Sequence, residues 1–335
     1  MPGDGEAGAA GPAGRGAGVA GPGRPARPAP PSRGRLLALL SVLAAFLLVC
    51  HRIVPDVPGH LGSLLETFLP WLGLTVPVLL GLALLRRSRV ALISVLLPTA
   101  AWLGLFGGLL LPGHAPAGGF TAVQHNVSDE NPDPAGTARV LIEASADLVA
   151  LEELTLAALP VYEAALAAHY PHHAVQGTVG LWSKHPLSGV RPVDIRPEGI
   201  EEGWDRGLRA TARTPEGDVA VYVAHLPSVR LGLSGGFRTA WRDESAVLLG
   251  RAVAAEPLEK VVLLGDLNST VDDRGLAPVS SRMDGSGPGF AFSWPAALPV
   301  ARIDQIMTRS ATVTEVRALP RTGSDHLPIA ARIRF

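Results

Sequence analysis

Three short segments near the C-terminus place acidic, amide and imidazole side chains beside apolar runs. They are residues 265–268, 302–306 and 324–328, and they hold three Asp, one Asn and one His. The runs at 261–264 and 300–303 have the composition of buried strands, so we expect them to deliver polar groups to one edge of a sheet. Oxygen ligands beside an imidazole suit metal-assisted hydrolysis of a phosphate ester.

Such hydrolysis must neutralise charge on the phosphoryl oxygens, activate a water and stabilise the leaving oxygen. Asn268 stands two positions after Asp266, so both are predicted on the same face of an extended segment. Asp304 and His326 are predicted to pair, the carboxylate fixing the ring tautomer and favouring the charged ring. Whether Asp266 or His326 is the general base stays open.

Three apolar runs in the N-terminal part each approach the length of about 20 residues that a helix needs to cross a bilayer. They cover residues 36–54, 61–85 and 90–111. Glu66 lies near the start of the second run, and we expect it to snorkel to the membrane interface.

The chain is thus predicted to have three parts. Residues 1–33 are almost all Gly, Ala, Pro and Arg, and we expect them to be disordered. A membrane module follows over residues 34–112, and a catalytic domain over residues 118–335. Cys50 is the only cysteine, so no disulfide forms within the chain.

Basic residues predict the orientation of this module in the membrane. Five Arg precede the first run, and Arg86, Arg87 and Arg89 occupy the short loop between the second and third. The positive-inside rule places both segments in the cytoplasm. With three spans we expect a multi-pass protein of the cell membrane whose C-terminal domain lies outside the cytoplasm.

The charge of the C-terminal part disfavours nucleic acid as a partner. Before residue 115 lie 9 of the 29 Lys and Arg and 4 of the 30 Asp and Glu, so the rest of the chain carries a net charge of −6. A surface that binds DNA is normally basic, because it gains from counterion release. The bilayer and a phosphorylated, lipid-linked substrate are the favoured partners.

The C-terminal part alternates strand-like and helix-like patterns, which favours an α/β fold with a two-sheet sandwich flanked by helices. Strands are predicted at residues 120–126, 148–151, 180–183, 219–224, 261–264 and 330–335, and helices at 137–146, 239–254 and in the stretch ending at 169. Residues 195–207, 227–236 and 280–299 resist assignment, and either substrate recognition or plain connection fits them. Glu202, Asp205 and Arg206 are recognition candidates.

An ordered set of motifs resembles the endonuclease/exonuclease/phosphatase superfamily. The set is Gln-His-Asn-Val at 124–127, Leu-Glu-Glu at 151–153, Leu-Trp-Ser-Lys-His-Pro-Leu at 181–187, Ala-His-Leu at 224–226, Gly-Asp-Leu-Asn at 265–268, Arg-Ile-Asp at 302–304 and Ser-Asp-His-Leu-Pro at 324–328. The resemblance implies a deoxyribonuclease-like, four-layered α/β/β/α sandwich, which here is expected to follow the three transmembrane helices predicted from the apolar runs. It also implies a hydrolase of phosphoric esters or anhydrides that depends on Mg²⁺, with Mn²⁺ as the alternative ion.

The resemblance assigns roles residue by residue. It implies catalytic roles for His225, Asp266, Asn268, Asp304 and His326, substrate binding by Asn126, His225 and Asn268, and metal binding by Asn126, Glu153 and Asp325. Glu152 stands where the family often has Gln, so it either points away from the site or adds negative charge that tightens metal binding. Some nucleases of the family carry an acidic ligand where this chain has Ser128, which weakens the nuclease interpretation.

Only residues 112–119 separate the third apolar run from the predicted enzyme, too few to hold its site far from the membrane. The expected substrate is therefore a lipid-linked phosphate or pyrophosphate. The architecture resembles the VanJ-type teicoplanin-resistance membrane proteins, which implies undecaprenyl pyrophosphate and a cell-envelope role. An extracytoplasmic nuclease, a sphingomyelinase-like phosphodiesterase and a non-catalytic receptor are the alternatives.

Overall fold

Two mixed β-sheets pack face to face in the C-terminal part of the chain, and an apolar helical module precedes them. A computed structural model describes residues 34–57, 59–111, 119–232, 236–285 and 287–335. The predicted disordered tail at 1–33 lies outside the described residues, as do residues 112–118 of the connection between module and domain.

The helices and strands are numbered in chain order. The helices are α1 Arg35–Cys50, α2 Leu61–Thr67, α3 Thr75–Leu85, α4 Arg89–Phe106, α5 Pro134–Glu143, α6 Leu159–Leu166, α7 Ala240–Ala254 and α8 Ala277–Ser280. The strands are β1 Phe120–Asn126, β2 Leu148–Glu152, β3 His172–Gln176, β4 Val179–Ser183, β5 Leu187–Pro192, β6 Gly207–Thr214, β7 Gly217–Ala224, β8 Arg230–Gly232, β9 Gly236–Arg238, β10 Val261–Asp266, β11 Asp304–Arg309, β12 Thr312–Ala318 and β13 Ile329–Arg334.

The first sheet has the strand order β12-β13-β1-β2-β4-β3, and the second has the order β11-β10-β7-β6-β5. Both are mixed, because β1 and β2 run parallel, as do β10 and β7, while the other neighbouring strands are antiparallel. Strands β8 and β9 form a separate two-stranded ribbon. The predicted α/β fold with two sheets is confirmed.

Alternating side chains along the strands build separate cores. In β10, Val262 and Leu264 face the other sheet, whereas Val261 and Leu263 pack with residues of α7 and α8. On the far side of the first sheet, Val149 packs with residues of α5 and α6. The two-residue period of a strand explains this division, and it also sends Asp266 toward the other sheet.

The predicted strand at 300–303 is wrong, because β11 begins at Asp304. Ala301 instead forms an isolated bridge with Trp294, and the buried Arg302 donates from Nη2 to the backbone oxygen of Gly285 at 3.0 Å. Since β11 runs antiparallel to β10, the start of β11 lies beside the end of β10. The two strands therefore still bring their carboxylates to one edge.

Two helices of the N-terminal module are long and apolar enough to cross a membrane, at Arg35–Ile53 and Arg89–Leu110. The second apolar run is not one straight helix. It is divided into Leu61–Thr67 and Leu69–Leu85, which meet at 70°. Only two complete candidate spans are thus described, and the bent pair is a third if it forms one span.

Glu66 does not snorkel to an interface, so that prediction is wrong. Its side chain is fully buried and accepts two hydrogen bonds from the Arg274 side chain, from Nε and Nη2, both at 2.9 Å. The Nδ1 atom of His51 lies 2.9 Å from the same carboxylate. A buried carboxylate requires a partner, and this one is supplied by Arg274, so α2 packs against the C-terminal domain.

Candidate active site

Two carboxylates meet at the edge of the second sheet. Asp266 ends β10, Asp304 begins β11, and the two are direct partners in the strand register. Both are buried and share a strand face with apolar residues that face the first sheet. From that sheet, Asn126 ends β1 on the same inward-facing side. The edge where the sheets meet is therefore lined with polar groups.

The imidazole of His326 lies between these carboxylates. Its Nδ1 is 2.9 Å from an Asp304 oxygen, and its Nε2 is 3.8 Å from an Asp266 oxygen. Burial alone would lower the pKa of His326, but the negative charges of Asp304 and Asp266 raise it to about 10. The ring is therefore charged at neutral pH, and its attraction holds the pKa of Asp304 below its usual value against the effect of burial.

Three amide N–H groups donate hydrogen bonds to the Asp266 carboxylate. The Oδ2 atom accepts from Nδ2 of Asn126 at 3.1 Å and from Nδ2 of Asn268 at 3.3 Å, and Oδ1 accepts from the backbone N–H of Asn268 at 2.9 Å. Burial raises the pKa of Asp266 to about 7, and the charge of Asp304 acts in the same direction. A carboxylate that titrates near neutral pH is suited to accept a proton from water.

His225 presents one ring nitrogen to the same space. Burial lowers its pKa well below the usual value, and the charges of Arg206 and His326 lower it further, so the ring is neutral. Nη1 of Arg206 lies 3.1 Å from Nδ1 and 3.4 Å from Nε2 of this ring, and the shorter contact favours donation to Nδ1 with the ring proton on Nε2. That Nε2 lies 3.7 Å from oxygens of both Glu153 and Asp266.

Three residues other than glycine adopt left-handed backbone conformations around this edge. They are Ser128, Glu153 and Asn268, with φ values of 61°, 61° and 47°. Such conformations are uncommon and tend to cluster at functional sites. At Asn268 the turn lets the side chain donate to Asp266 and also to the backbone oxygen of Leu226 at 2.9 Å.

The donor atoms of Asp266, Asp304 and His326 lie within 4.8 Å of one another, a spacing that can hold a metal ion. The raised pKa of His326 favours the protonated ring, which then lies as a cation between the two carboxylates. Glu153 and Asn126 offer the hard oxygen donors that suit Mg²⁺. Asp325 is exposed and lies outside the close group, and its metal role stays a prediction.

Glu152 does not point away from the site, and its effect on metal binding stays a prediction. It is buried inside the domain, where Nε2 of Gln124 donates to its carboxyl group at 2.7 Å and to Asp304 at 3.0 Å. Burial raises its pKa well above the usual value, and the charges of Asp304 and Asp266 raise it further. The raised pKa favours the neutral acid, and the group helps to orient Gln124.

The site includes residues that the sequence did not single out. Gln124 stands two positions before Asn126, so the period of β1 could have placed it on the same face. Arg206 was only one of three recognition candidates; the other two, Glu202 and Asp205, are exposed. Nothing in its sequence context marks Arg242 of α7, which is buried and donates to the backbone oxygen of Asn268 at 3.2 Å.

Solved structures of low sequence identity share this fold. TDP2 from D. rerio, complexed with single strand DNA product, is 16% identical and has a TM-score of 0.53, with coverage of 65% of this chain and 100% of that one. An endonuclease/exonuclease/phosphatase from Bacteroides vulgatus is 14% identical with a TM-score of 0.52, covering 64% and 98%. The beta toxin of Staphylococcus aureus is 16% identical with a TM-score of 0.50, covering 63% and 99%. The comparison with curated proteins gave no match.

These identities show the fold alone, but the sequence itself matches a family model. The model is described as Endonuclease/Exonuclease/phosphatase family and matches residues 123–326. This range begins in β1, ends at His326, and contains the carboxylates and the imidazoles described above. Since the match extends over more than half of the chain, the chain belongs to the Endonuclease/Exonuclease/phosphatase family.

Proposed function

We propose that this protein is a membrane-anchored, Mg²⁺-dependent phosphoesterase that hydrolyses a lipid-linked phosphate ester or anhydride outside the cytoplasm. Members of its family are phosphoester hydrolases, which supports the reaction class. One observation carries the choice of a lipid substrate. The loop between α8 and β11 helps to form the site. It packs directly on the membrane module, where the ring of Trp71 contacts the ring of Phe292.

This loop links the module to the active-site imidazole. The indole N–H of Trp71 donates to the backbone oxygen of Val300 at 2.6 Å, and its ring stacks on Phe292 with centroids 5.5 Å apart. The next residue, Ser293, accepts a hydrogen bond from the backbone N–H of Leu327 at 2.8 Å. Leu327 directly follows His326, so the site lies a few residues from the module.

An apolar groove lies where the loop meets the module, with a volume of about 380 Å³. Trp71 and Trp102 of the module and Phe290 and Phe292 of the loop contribute to its walls. The groove is continuous with helices whose leucines are exposed, as expected of a surface in contact with lipid tails. We assign it to the hydrocarbon chain of the substrate, which would enter from the bilayer.

The ends of the helices support the proposed orientation. Near the end of α1, the backbone oxygen of Val54 accepts from Arg274 at 3.0 Å, and beyond α4, that of Leu109 accepts from the N–H of Gly289 at 3.2 Å. The basic residues at 86–89 lie at the opposite ends of α3 and α4. By the positive-inside rule, the catalytic domain is then outside the cytoplasm. If a reporter that functions only in the cytoplasm were active when fused after Phe335, this orientation would be contradicted.

The residues of the site have different roles in the proposed hydrolysis. Asp266, whose carboxylate is held in place by the amides of Asn126 and Asn268, accepts a proton from the attacking water. The charged ring of His326 and the Nε2–H of His225 donate to phosphoryl oxygens, on which negative charge accumulates. A Mg²⁺ ion held by Glu153 and Asn126 would neutralise further charge on the phosphate.

Within this class we propose a polyprenyl phosphate or pyrophosphate, such as undecaprenyl pyrophosphate, as the substrate. The test is a phosphate-release panel for the full chain with Mg²⁺, which compares polyprenyl phosphates and pyrophosphates, nucleotides, plasmid DNA and choline-headgroup lipids. We expect release from the polyprenyl compounds only. Cleavage of plasmid or of the choline lipid, without activity on any lipid phosphate, would favour the nuclease or phosphodiesterase alternative.

The groove gives a second arm to this test. Replacing Phe292→Ser should reduce kcat/KM for a long-chain lipid phosphate by about tenfold, because it removes an aromatic wall, while a short-chain ester should be much less affected. Leu298→Ser is the matched control, since Leu298 is exposed on the same loop and does not line the groove. Equal losses of kcat/KM on the long-chain and short-chain substrates would show that the hydrocarbon chain does not bind in the groove.

A further inference from the structure

A second cavity, of about 570 Å³, lies beside the candidate active site. Three arginines, two tryptophans and a histidine contribute to its walls: Arg206, Arg230, Arg238, Trp204, Trp241 and His60. We call it the basic cavity. It gathers side chains from the module, from the loop before β6, from the β8–β9 ribbon and from the start of α7. Residues 195–207 and 227–236, two of the three segments left without predicted secondary structure, therefore both contribute residues to this cavity.

The charge of the basic cavity is opposite to that of the rest of the domain. The C-terminal part carries a net charge of −6, yet no Asp or Glu is found among the described residues that line the cavity. Within the described parts of the chain, neither Arg230 nor Arg238 has a carboxylate within 4.0 Å. Unpaired cations around one concave space favour an anionic ligand.

The basic cavity is continuous with the active site through Arg206. One side of its guanidinium contacts the His225 ring at 3.1 Å, and Arg206 also lies over the Trp204 ring, 5.0 Å from its centroid. The chain beyond His225 continues into the wall at Pro227 and Ser228. A ligand in the cavity therefore lies next to a phosphate held by His225.

The other walls suit a phosphorylated headgroup. The first residues of the 15-residue helix α7, Ala240 and Trp241, line the cavity, and a helix N-terminus favours an anion. Trp241 is 54% exposed, which is unusual for so large an apolar side chain without a partner. With Trp204 it offers apolar contact to the carbon skeleton beside the anionic group.

We propose that the basic cavity binds a second phosphoryl group of the substrate, next to the phosphoryl group that is attacked, through Arg206, Arg230 and Arg238. This rests on the proposed function and deepens it, because it selects substrates with two linked phosphoryl groups over monophosphates. Arginine suits the role, since its planar fork binds phosphate oxygens through two hydrogen bonds.

The kinetic test uses the full chain in neutral detergent micelles with Mg²⁺ and two lipid substrates that share one chain, a monophosphate and a diphosphate. In the variant Arg230→Ala/Arg238→Ala, kcat/KM for the diphosphate should fall relative to the monophosphate by about tenfold or more. Arg213→Ala is the control, because Arg213 is exposed at the far end of β6 from Arg206. An unchanged ratio, or an equal loss on both substrates, would overturn the proposal.

A binding measurement separates this proposal from the proposed function. Calorimetry with inorganic pyrophosphate in metal-free buffer should show an affinity about tenfold weaker in Arg230→Ala/Arg238→Ala than in the wild type. If the wild type hydrolyses neither lipid but this loss appears, the proposed function fails and the second phosphoryl site stands. If pyrophosphate binds both proteins equally, the site fails whatever the lipid assay shows.

Discussion

Asp266 and Asp304 lie directly opposite each other on the antiparallel strands β10 and β11. Two buried carboxylates this close would repel each other if both were ionised. The charged ring of His326 relieves the repulsion, bonding Asp304 at 2.9 Å and facing Asp266 at 3.8 Å. Asp304 stays ionised as a result, and Asp266 is left with a raised pKa and the capacity to take up a proton.

Replacing Asp304→Asn should move the alkaline limit of activity to lower pH. The folded-state pKa of His326 is raised to about 10, so the ring is charged below that pH and loses its proton above it. Removing the Asp304 charge lowers this pKa, so the alkaline limb of kcat/KM against pH should lie at least about one pH unit lower. Asp218→Asn is the control, with no shift of the limb expected because Asp218 is exposed near the start of β7, at the opposite end of that strand from His225. Identical limbs in wild type and Asp304→Asn would contradict the charged ring.

Replacing Glu153→Gln should weaken metal activation without unfolding the protein. The Glu153 side chain retains 26% exposure and places a carboxylate oxygen 3.7 Å from Nε2 of His225, and the amide is a poorer ligand for Mg²⁺. The Mg²⁺ concentration for half-maximal activity should rise by about tenfold or more. Glu143→Gln, on the exposed face of α5, should leave it unchanged. Removal of metal with a chelator should abolish wild-type activity, and activity that survives chelation would refute the metal requirement.

Replacing Arg274→Met should loosen the contact between module and domain. It leaves the buried Glu66 carboxylate with only His51 and the backbone N–H of residue 274 as partners, and the loss of the guanidinium costs about 3 kcal/mol. We expect a lower apparent melting temperature in detergent and a larger loss of activity on a lipid substrate than on a soluble ester. Adding Glu66→Gln should recover part of the stability, because it removes the uncompensated charge.

The control for this pair is Arg332→Met, which breaks the exposed pair of Arg332 and Glu315. Exposed pairs contribute about 0–1 kcal/mol, so little change is expected there. Equal melting temperatures for Arg274→Met and Arg332→Met would show that the module does not dock as described.

The stabilising effect of Glu256 should disappear in acid. Arg209 donates to both oxygens of its carboxylate at 2.9 Å, and the Tyr222 hydroxyl donates at 2.9 Å. Burial would raise the pKa of Glu256, but the bonds from Arg209 and its other donors lower it to about 2, from 4.5 in the unfolded chain. A depressed carboxyl pKa stabilises the fold above the unfolded value, and this is lost as the pH falls through the folded value.

The melting-temperature difference between wild type and Glu256→Gln should therefore be constant above about pH 5 and shrink toward pH 2. Glu259→Gln, a nearby carboxyl outside this network, is the matched control. A difference as large at pH 3 as at pH 7 would contradict the assigned pKa shift.

The strands that the sequence predicted best are those that open with apolar residues. β1 was predicted with its exact bounds, and β2 and β10 were predicted up to their polar ends. Strand β11 was missed because it opens with Asp304 and Gln305, whose burial depends on tertiary partners that no local pattern reveals. The apolar residues within 300–303 led to a strand prediction there instead. These residues belong to the loop before β11, in which Ala301 forms an isolated bridge with Trp294.

The site was predictable where a residue belongs to a recognisable motif. Asn126, Asp266, Asn268, Asp304, His225 and His326 were all named from the sequence, and the structure brings them together around one edge. Arg206 was named only as one of three recognition candidates. The basic cavity was not predictable, because its walls come from segments far apart in the chain. The partner of Glu66 was missed for the same reason, since 208 positions separate it from Arg274.

The most direct test of the account is phosphate release from a polyprenyl pyrophosphate by the full chain in proteoliposomes, with substrate supplied in the outer leaflet and Mg²⁺ present. Wild type should release phosphate, and Asp266→Asn and His326→Asn should each lower kcat/KM by about 10²-fold or more, because each removes a group that acts on protons or charge in the transition state. Both variants should still bind the lipid. Release at wild-type rates by either variant, or no release by wild type from any lipid phosphate, would contradict the account.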